Sequence, residues 1–240
     1  MRSIGKRFIR NVSIEDDFYK INFLEIKFPL FWPCGYGVTG YLQVTSETFD
    51  PNDWHNYQTV FRIHDGEVLL DIGAAEGLFS LSVVDKCERI IMVEPNSHFV
   101  NALNRTFVDH QNKIEIIEVA VGELNGTASF SETSLHGSVL GENNPFGQTK
   151  IRKVDDLMAN EPKLTFIKAD IEGFELSMLR GAENTIKIHK PKIVITTYHR
   201  ENDANEIIAL IQSFVPEYNY KKQGIFHEKG KPVTVHFWIN

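Results

Sequence analysis

The sequence lacks the residues that mark several classes of protein. It has only two cysteines, Cys34 and Cys87, too few for the disulfide framework of a small secreted protein. We interpret both as structural thiols, which predicts a reducing compartment. No apolar run reaches the length of about 18 residues that a membrane-spanning helix needs. The basic stretch Met1–Arg7 is not followed by the apolar segment of a signal peptide. We therefore expect a cytoplasmic protein without a membrane partner.

Basic charge is also scarce. The 240 residues include 25 Lys and Arg against 32 Asp and Glu, a net charge of −7, and the two signs are interspersed. A nucleic-acid-binding protein would carry a basic stripe, so we expect no nucleic-acid partner. Small neutral or cationic molecules are compatible with this charge as ligands. A homodimer is also compatible with it. The apolar content of 42% is enough for one large core, and single α/β domains often reach this size.

The most informative pattern lies between Val68 and Gly77. The apolar run Val68–Ile72 predicts a buried strand that ends in a glycine-rich turn, and a second apolar run ends at Glu94. A glycine turn lets a ligand lie against the backbone, next to the free N–H groups of a helix N-terminus. A carboxylate at the end of the neighbouring strand can accept both hydroxyls of a ribose. We interpret this stretch as a nucleoside-cofactor site. The alternative is a turn with a structural role only.

The glycine turn lacks one glycine of the dinucleotide-binding fingerprint. The fingerprint G-x-G-x-x-G uses its second glycine to make room for pyrophosphate. Here the spacing is Asp71-x-Gly73-x-x-x-Gly77, with Ala75 between the glycines. An acidic residue before the turn would repel pyrophosphate but suits a cationic, amino-acid-bearing cofactor. S-adenosylmethionine is such a molecule.

The remaining pattern predicts an α/β fold. From Gly66 onward strands and helices alternate, which indicates a parallel sheet covered on both faces. Two final apolar segments that flank a turn indicate an antiparallel hairpin. The stretch 132–150, which contains His136, predicts a surface loop without periodicity. The predicted strands are 68–72, 89–93, 114–121, 164–169 and 192–198, with the hairpin at 218–222 and 233–239, and one helix is predicted from about residue 172 to 189 with a break near Gly181.

Residues 1–64 differ in composition from the rest of the chain, because they are dense in aromatic side chains. A partial alternation over 19–28 predicts a strand, and 38–44 is predicted to return as its partner. We expect a β-rich extension at 1–64 packed on a main domain at 65–240. Its aromatic residues are expected to seal the extension to the core, and the alternative is that some stack on a substrate.

Several motifs together resemble the FkbM-type methyltransferase family. The segments that carry the resemblance are Asp71–Gly77, Val93–Asn96, Val119–Gly122, Phe166–Leu176 and Leu179–Ala182. The resemblance covers residues 66 to 200 approximately, and its most specific part is Lys168-x-Asp-x-Glu-Gly-x-Glu175. It implies a Rossmann-like class I methyltransferase fold, with a seven-stranded, mostly parallel sheet that ends in an antiparallel hairpin. It also implies methylation that depends on S-adenosylmethionine, most often of a hydroxyl on a sugar, glycan or secondary metabolite.

The resemblance also implies a set of cofactor residues. The family's positions correspond to Asp71, Gly73, Gly77 and Glu94. To these we add neighbours in the same turn and strand ends, namely Ala74, Ala75, Glu76, Pro95, Ala120, Val121 and Asp170. Many class I enzymes hold the adenine amine with an Asp or Ser where this chain has Ala120, so backbone groups would have to serve here.

Two polar side chains, Asp170 and His199, end the predicted fourth and fifth strands. Ligands of open α/β sheets bind beyond these carboxyl ends. His199 titrates near neutrality and is the predicted general base; the alternative is a capping or surface histidine. For Asp170 we favour orientation of the substrate hydroxyl over binding of the cofactor's ammonium or action as a base. Lys168 shares a strand face with Asp170 and is expected to pair with it.

We predict no metal, although Asp170, Glu172 and His199 would offer oxygen and imidazole ligands suited to Mg or Mn. The predicted protein is thus an O-methyltransferase. The alternatives are a non-catalytic cofactor-binding or assembly protein of the same fold and, less favoured, an NAD-dependent oxidoreductase.

Overall fold

The computed structural model describes residues 2–130, 139–140, 148–201, 203–225 and 230–240. The N-terminal region contains helix α1 (Arg2–Gly5), a 3-10 turn (Lys6–Phe8), three strands, a second 3-10 turn (Cys34–Tyr36) and helix α2 (Gly37–Phe49). The strands are β1 (Ile9–Glu15), β2 (Phe18–Phe23) and β3 (Leu30–Pro33), and they form an antiparallel sheet in that order. The prediction of a β-rich extension is therefore confirmed.

The predicted return strand at 38–44 is wrong, because this segment lies inside helix α2. Val38, Thr39, Val44 and Thr45 are β-branched residues, which favour strands when read locally. The helix instead buries Tyr41, Leu42, Thr45 and Ser46 on one face. Gly40 allows this packing, since a Cβ there would lie 2.4 Å from the Trp32 ring. Tertiary contacts of the helix face thus override the local strand preference. Strand β1 was not predicted, and most of its residues are exposed.

The rest of the chain alternates strands and helices. In order these are β4 (Glu67–Ile72), α3 (Leu78–Val83), β5 (Cys87–Val93), α4 (Ser97–Thr106) followed by a 3-10 turn (Val108–His110), β6 (Ile114–Ile117), β7 (Ala120–Val121), β8 (Gly126–Phe130), β9 (Val139–Leu140), β10 (Gln148–Arg152), α5 (Val154–Leu157), β11 (Phe166–Ala169), α6 (Glu175–Arg180), α7 (Glu183–His189), β12 (Lys192–Thr196), α8 (Asp203–Phe214), β13 (Asn219–Gln223) and β14 (Thr234–Trp238).

Seven strands form the central sheet, in the order β13-β14-β12-β11-β4-β5-β6. The pairs from β12 to β6 are all parallel, and β14 runs antiparallel to both of its neighbours. This is the predicted mostly parallel sheet with an antiparallel C-terminal hairpin, so the fold class is confirmed. The carboxyl ends of β4, β5, β11 and β12 lie side by side at one edge of the sheet, where a ligand site is expected.

The predicted third strand, 114–121, divides between two sheets. Ile114–Ile117 pairs with β5, whereas Ala120–Val121 pairs with β10 in a second sheet of order β7-β10-β8-β9. The prediction of a structureless loop over 132–150 is wrong for residues 139–140 and 148–150, which are in strands. Residues 131–138, including His136, and 141–147 lie outside the described residues. The predicted long helix is two helices, α6 and α7, separated at Gly181.

The N-terminal region covers one face of the central sheet. Its side chains Ile21, Phe23 and Trp32 join a core cluster with Leu69 and Phe166 of the sheet. A second cluster on the opposite face contains residues of β4, β11 and β12 with α6 to α8. The division between residues 64 and 65 stays a prediction, because side chains from both sides of it share one core. Among the described helices, none is long and apolar enough to span a membrane.

Candidate functional site

The glycine turn after β4 is closely packed against the loop after β11. Gly73 has a φ of +70°, a left-handed conformation that favours glycine, and its N–H donates to Val93 O at 2.9 Å. A Cβ at this position would lie 2.0 Å from Asp170 O. Gly77, with a φ of +82°, opens helix α3 against Leu103 and Phe107. Both glycines of the Asp71-x-Gly73-x-x-x-Gly77 pattern are therefore required by sterics.

A buried ion pair holds this turn from below. Asp71 is fully buried, its Oδ2 accepts from Ser80 Oγ at 2.7 Å, and its Oδ1 lies 3.0 Å from Lys168 Nζ. Lys168 also donates to Gly73 O at 2.7 Å. Burial disfavours the charged ammonium, but the nearby carboxylates, Asp71 first, outweigh burial and raise the pKa of Lys168. The sequence predicted that Lys168 pairs with Asp170. This prediction is wrong, because the ion pair of Lys168 is with Asp71. Cross-strand pairing explains this, because Lys168 stands opposite Asp71 in the sheet.

Glu94, at the end of β5, faces the turn. Its Oε2 accepts from Ala75 N at 2.9 Å and its Oε1 accepts from Asn96 N at 2.8 Å. Each carboxylate oxygen has a further lone pair. Burial raises the pKa of Glu94 to about 7, against the opposing effect of the two backbone hydrogen bonds. Asn96 caps helix α4 by accepting from His98 N and donates to Tyr36 OH at 2.7 Å.

A pocket of about 1260 Å³, part of it open to solvent, lies above the turn. Nine of the predicted cofactor residues line it, namely Gly73, Ala74, Ala75, Glu76, Glu94, Pro95, Ala120, Val121 and Asp170. The other two, Asp71 and Gly77, belong to the layer beneath it, where they fix the shape of the turn. The strand β7 brings Ala120 and Val121 to the pocket as an apolar wall. The structure thus brings most of the predicted site residues together.

The far side of the pocket is polar. Asp170 follows β11 and accepts from Tyr57 OH at 2.7 Å and from Thr196 Oγ1 at 3.0 Å. Burial, followed by the negative charges of Asp170 and Glu47, raises the pKa of Tyr57 well above its ordinary value. Tyr57 therefore stays a neutral donor that fixes the orientation of Asp170.

His199 lies behind Asp170 and Glu172, both of which line the pocket. Its Nδ1 lies 3.0 Å from Glu175 Oε1, and its Nε2 lies 3.1 Å from Glu172 Oε2 and 3.8 Å from Asp170 Oδ1. Burial opposes the charged ring, but the carboxylates of Glu172, Glu175 and Asp170 outweigh it and raise the pKa of His199 to about 10. Without a ligand the ring is therefore an imidazolium near neutral pH. That state has no lone pair for a proton, which weighs against His199 as general base.

Six pocket residues come from the N-terminal region and were not predicted as site residues. They are Gln43, Val44, Glu47, Thr48, His55 and Tyr57. Gln43 and Glu47 are one helical turn apart and are hydrogen-bonded at 2.9 Å, so a correct helix prediction over α2 would have placed them on one face. His55 and Tyr57 follow in a segment without periodicity, and no local signal distinguishes them. Tyr198, beside His199, also lines the pocket.

Comparisons with known proteins agree with this geometry. The structure of an FkbM methyltransferase from Methylobacillus flagellatus KT is similar, with a TM-score of 0.62 and 25% sequence identity; the match covers 85% of this chain and 56% of that one. The chain therefore spans little more than half the length of that relative. Wild-type Trm5b from Pyrococcus abyssi shares the fold, with a TM-score of 0.50, 13% identity and coverage of 95% and 62% of the two chains. No curated protein matches the sequence.

The sequence also matches a protein-family model, and this match assigns the chain to a family. The family described as the methyltransferase FkbM domain matches residues 71–222. This range begins at the glycine turn, includes the Lys168–Glu175 motif and ends in the C-terminal hairpin. It covers more than half of the 240 residues, and it confirms the resemblance noted in the sequence. The chain belongs to the FkbM methyltransferase family.

Proposed function

We propose that this protein transfers a methyl group from S-adenosylmethionine to a hydroxyl of a small molecule, sugar or glycan. The observation that carries the proposal is Glu94, a buried carboxylate that faces the glycine turn and lines the pocket above it. A carboxylate at this strand end can accept both ribose hydroxyls. The adenine would lie against the apolar wall of Ala120 and Val121, with backbone groups as its polar contacts.

The charge of the pocket supports a cationic cofactor. Glu76, Glu94, Asp170 and Glu172 all line it, and Lys168 is the one lysine among the described residues that do so. A sulfonium with an α-ammonium group gains from such carboxylates, whereas a pyrophosphate would be repelled by them. The same imbalance speaks against the NAD-dependent alternative, together with the replacement of the middle glycine by Ala75.

The polar end of the pocket supports an oxygen acceptor. Methyl transfer is an in-line displacement, for which the cofactor supplies the reactive carbon and the protein aligns the nucleophile. Asp170 is held by Tyr57 and Thr196, so it can accept a hydrogen bond from an acceptor hydroxyl in a fixed direction. A non-catalytic cofactor-binding protein would not need an oriented carboxylate at this place.

Two measurements test the proposal. Calorimetry should show S-adenosylhomocysteine binding in the micromolar range, with no binding of NADH. Incubation with a labelled methyl donor and a panel of sugars, glycans and phenols should then label at least one hydroxyl compound. No binding at millimolar S-adenosylhomocysteine would refute the cofactor assignment. Binding together with transfer only to amines or thiols would refute the oxygen acceptor.

A further inference from the structure

We infer that Asp170, Glu175 and His199, with Glu172 beside them, form a binding site for one hard divalent cation, Mg²⁺ or Mn²⁺. We call these four residues the Asp–Glu–His cluster. The cluster lies at the carboxyl ends of β11 and β12, at the polar end of the pocket. The role of the ion in methyl transfer rests on the proposed function, whereas its binding does not.

The spacing of the ligand atoms suits such an ion. One oxygen each of Asp170 and Glu175 and one ring nitrogen of His199 all lie within 4.8 Å of one another. Among the described residues no other group of three such side chains meets this condition. His199 Nε2 is 3.1 Å from Glu172 Oε2 and 3.8 Å from Asp170 Oδ1. Around an octahedral ion with bonds of about 2.1 Å, adjacent ligand atoms are about 3 Å apart and opposite ones about 4 Å apart.

Two buried atoms of the cluster lack a hydrogen bond within the described part of the chain. They are Glu175 Oε2, on a side chain with 0% exposure, and His199 Nε2, on a side chain with 9% exposure. His199 Nε2 also lies 3.1 Å from Glu172 Oε2, a contact that is an ion pair when the ring is charged. Buried polar atoms are rarely left without a partner, since each one costs about 1–3 kcal/mol. Both orphan atoms belong to groups that bind metals, and an ion bound at His199 Nε2 would satisfy that nitrogen while Glu175 holds the ring from its other side.

The orientation of the ring also fits a metal ligand. Glu175 Oε1 lies 3.0 Å from His199 Nδ1, which fixes the ring and directs Nε2 toward Asp170 and Glu172. A histidine that binds a metal through one nitrogen usually donates from the other to a carboxylate in this way. Three carboxylates surround a single imidazole, and a dication balances that charge better than one ring proton does. Binding would release the ring proton to solvent.

The ion would supply what the pocket otherwise lacks, a way to acidify the acceptor hydroxyl. An alcohol oxygen bound to the cation loses its proton to solvent, as water does on a metal. The alkoxide oxygen then attacks the sulfonium methyl carbon, the new C–O bond forms as the C–S bond breaks, and the electron pair stays on sulfur in the neutral thioether. No protein base of high pKa is needed.

Titration of the chelator-stripped full-length protein with MnCl₂, followed by electron paramagnetic resonance of the free ion, tests the site. We expect one saturable Mn²⁺ per chain without any cofactor. Asp170→Asn and His199→Gln should each weaken Mn²⁺ binding at least about tenfold. His55→Gln is the matched control, because His55 also lies near two carboxylates, Glu47 and Asp53, in the same pocket; it should keep the affinity. Circular dichroism confirms that each variant is folded.

The outcomes separate this inference from the proposed function. Saturable Mn²⁺ binding that both cluster variants lose supports the site. Stripped wild-type protein that binds S-adenosylhomocysteine but no Mn²⁺ overturns the inference and leaves the proposed function standing; this is also the result expected if the cluster binds an ammonium group instead. Mn²⁺ binding that survives both Asp170→Asn and His199→Gln overturns it as well, because the ion would then lie elsewhere. Methyl transfer at full rate with excess chelator would refute the catalytic role.

Discussion

Among single side chains, Lys168 and Asp71 matter most for the shape of the site. They form a buried ion pair directly beneath the glycine turn, with side-chain exposures of 5% and 0%. The attraction in such a pair does little more than offset the cost of removing both charges from water. Loss of one partner is strongly destabilising, since it leaves the other group buried and unpaired. Substitution of either residue therefore tests whether the ion pair holds the turn.

Lys168→Met should lower the free energy of unfolding by about 3–5 kcal/mol, because Asp71 would stay buried without its ion-pair partner. Chemical denaturation of the wild type and the variant measures this difference. The double variant Lys168→Met, Asp71→Leu should recover part of the loss, since no charge stays buried. A single variant within about 1 kcal/mol of the wild type would show that the ion pair does not hold the turn.

The raised pKa of Glu94 predicts a pH dependence of cofactor binding. The carboxylate accepts ribose hydroxyls best when ionised, and burial raises its pKa to about 7. The affinity for S-adenosylhomocysteine should therefore rise as the pH increases from 6 to 8 and then level off. Calorimetry across this range measures the effect.

Glu94→Gln should weaken S-adenosylhomocysteine binding by about tenfold or more at pH 8 and should remove most of the pH dependence, since hydrogen bonds to a charged group are worth about 1.5–3 kcal/mol. Glu76 also has its pKa raised to about 7 by burial, so Glu76→Gln is the necessary comparison. If the pH dependence persists in Glu94→Gln but disappears in Glu76→Gln, the role assigned to Glu94 is wrong.

The element that organises the site is the turn between β4 and α3. Gly73→Ala should destabilise the protein by at least about 2 kcal/mol, because an alanine at φ +70° is strained and its Cβ would collide with Asp170 O. It should also weaken cofactor binding, since the loops after β4 and β11 would move apart. Gly35→Ala is the control, because that exposed glycine has no described atom within 4 Å of its Cβ position. Equal melting temperatures for the two variants would contradict the account.

The strands of the central sheet could be predicted from the sequence, because parallel strands buried on both faces are continuous apolar runs. Elements that depend on distant contacts could not. Helix α2 contains β-branched residues and is held by packing against Trp32, and strand β7 leaves the central sheet to pair with β10 far along the chain. Neither interaction has a local pattern.

The same division applies to the site. The cofactor side lies on the turn and the strand ends, where local motifs mark it, and nine of its eleven predicted residues line the pocket. The acceptor side takes Glu47, His55 and Tyr57 from the N-terminal region, which meets Asp170 only in the folded protein. The partner of Lys168 was mistaken for a related reason, since strand alternation along β11 indicates Asp170, whereas the register with β4 selects Asp71.

For the protein as a whole, the central sheet is buried between two core clusters, and its strand β14 carries a buried titratable group. His236 on β14 has 0% exposure, and burial, aided by the positive charge of Lys221 on the paired strand, lowers its pKa to about 3. Its other neighbours are the hydroxyl of Thr234 and the ring of Phe61. The ring is therefore neutral in the folded state at any pH near neutrality.

This burial predicts a loss of stability in acid. Below pH 6.5 the unfolded chain binds a proton at His236 that the folded chain does not bind. The contribution of His236 to the free energy of unfolding is therefore full above pH 6.5, and it falls toward pH 3 by up to about 1.4 kcal/mol per pH unit. Urea unfolding at pH 7, 6 and 5 measures the slope. Because Glu76 and Glu94 titrate near pH 7 with the opposite sign, the informative quantity is the difference in unfolding free energy between wild type and His236→Gln, and this difference should change in disfavour of the wild type as the pH falls from 7 to 5. Equal slopes would contradict the prediction.

The central claim is that an adenosyl cofactor binds against the glycine turn with its ribose on Glu94. A crystal structure of the protein with saturating S-adenosylhomocysteine tests it most directly. We expect both ribose hydroxyls within hydrogen-bond distance of the Glu94 carboxylate, the adenine beside Ala120 and Val121, and the sulfur directed toward Asp170. A ligand bound elsewhere, or a pocket that stays without it at saturation, would contradict the account.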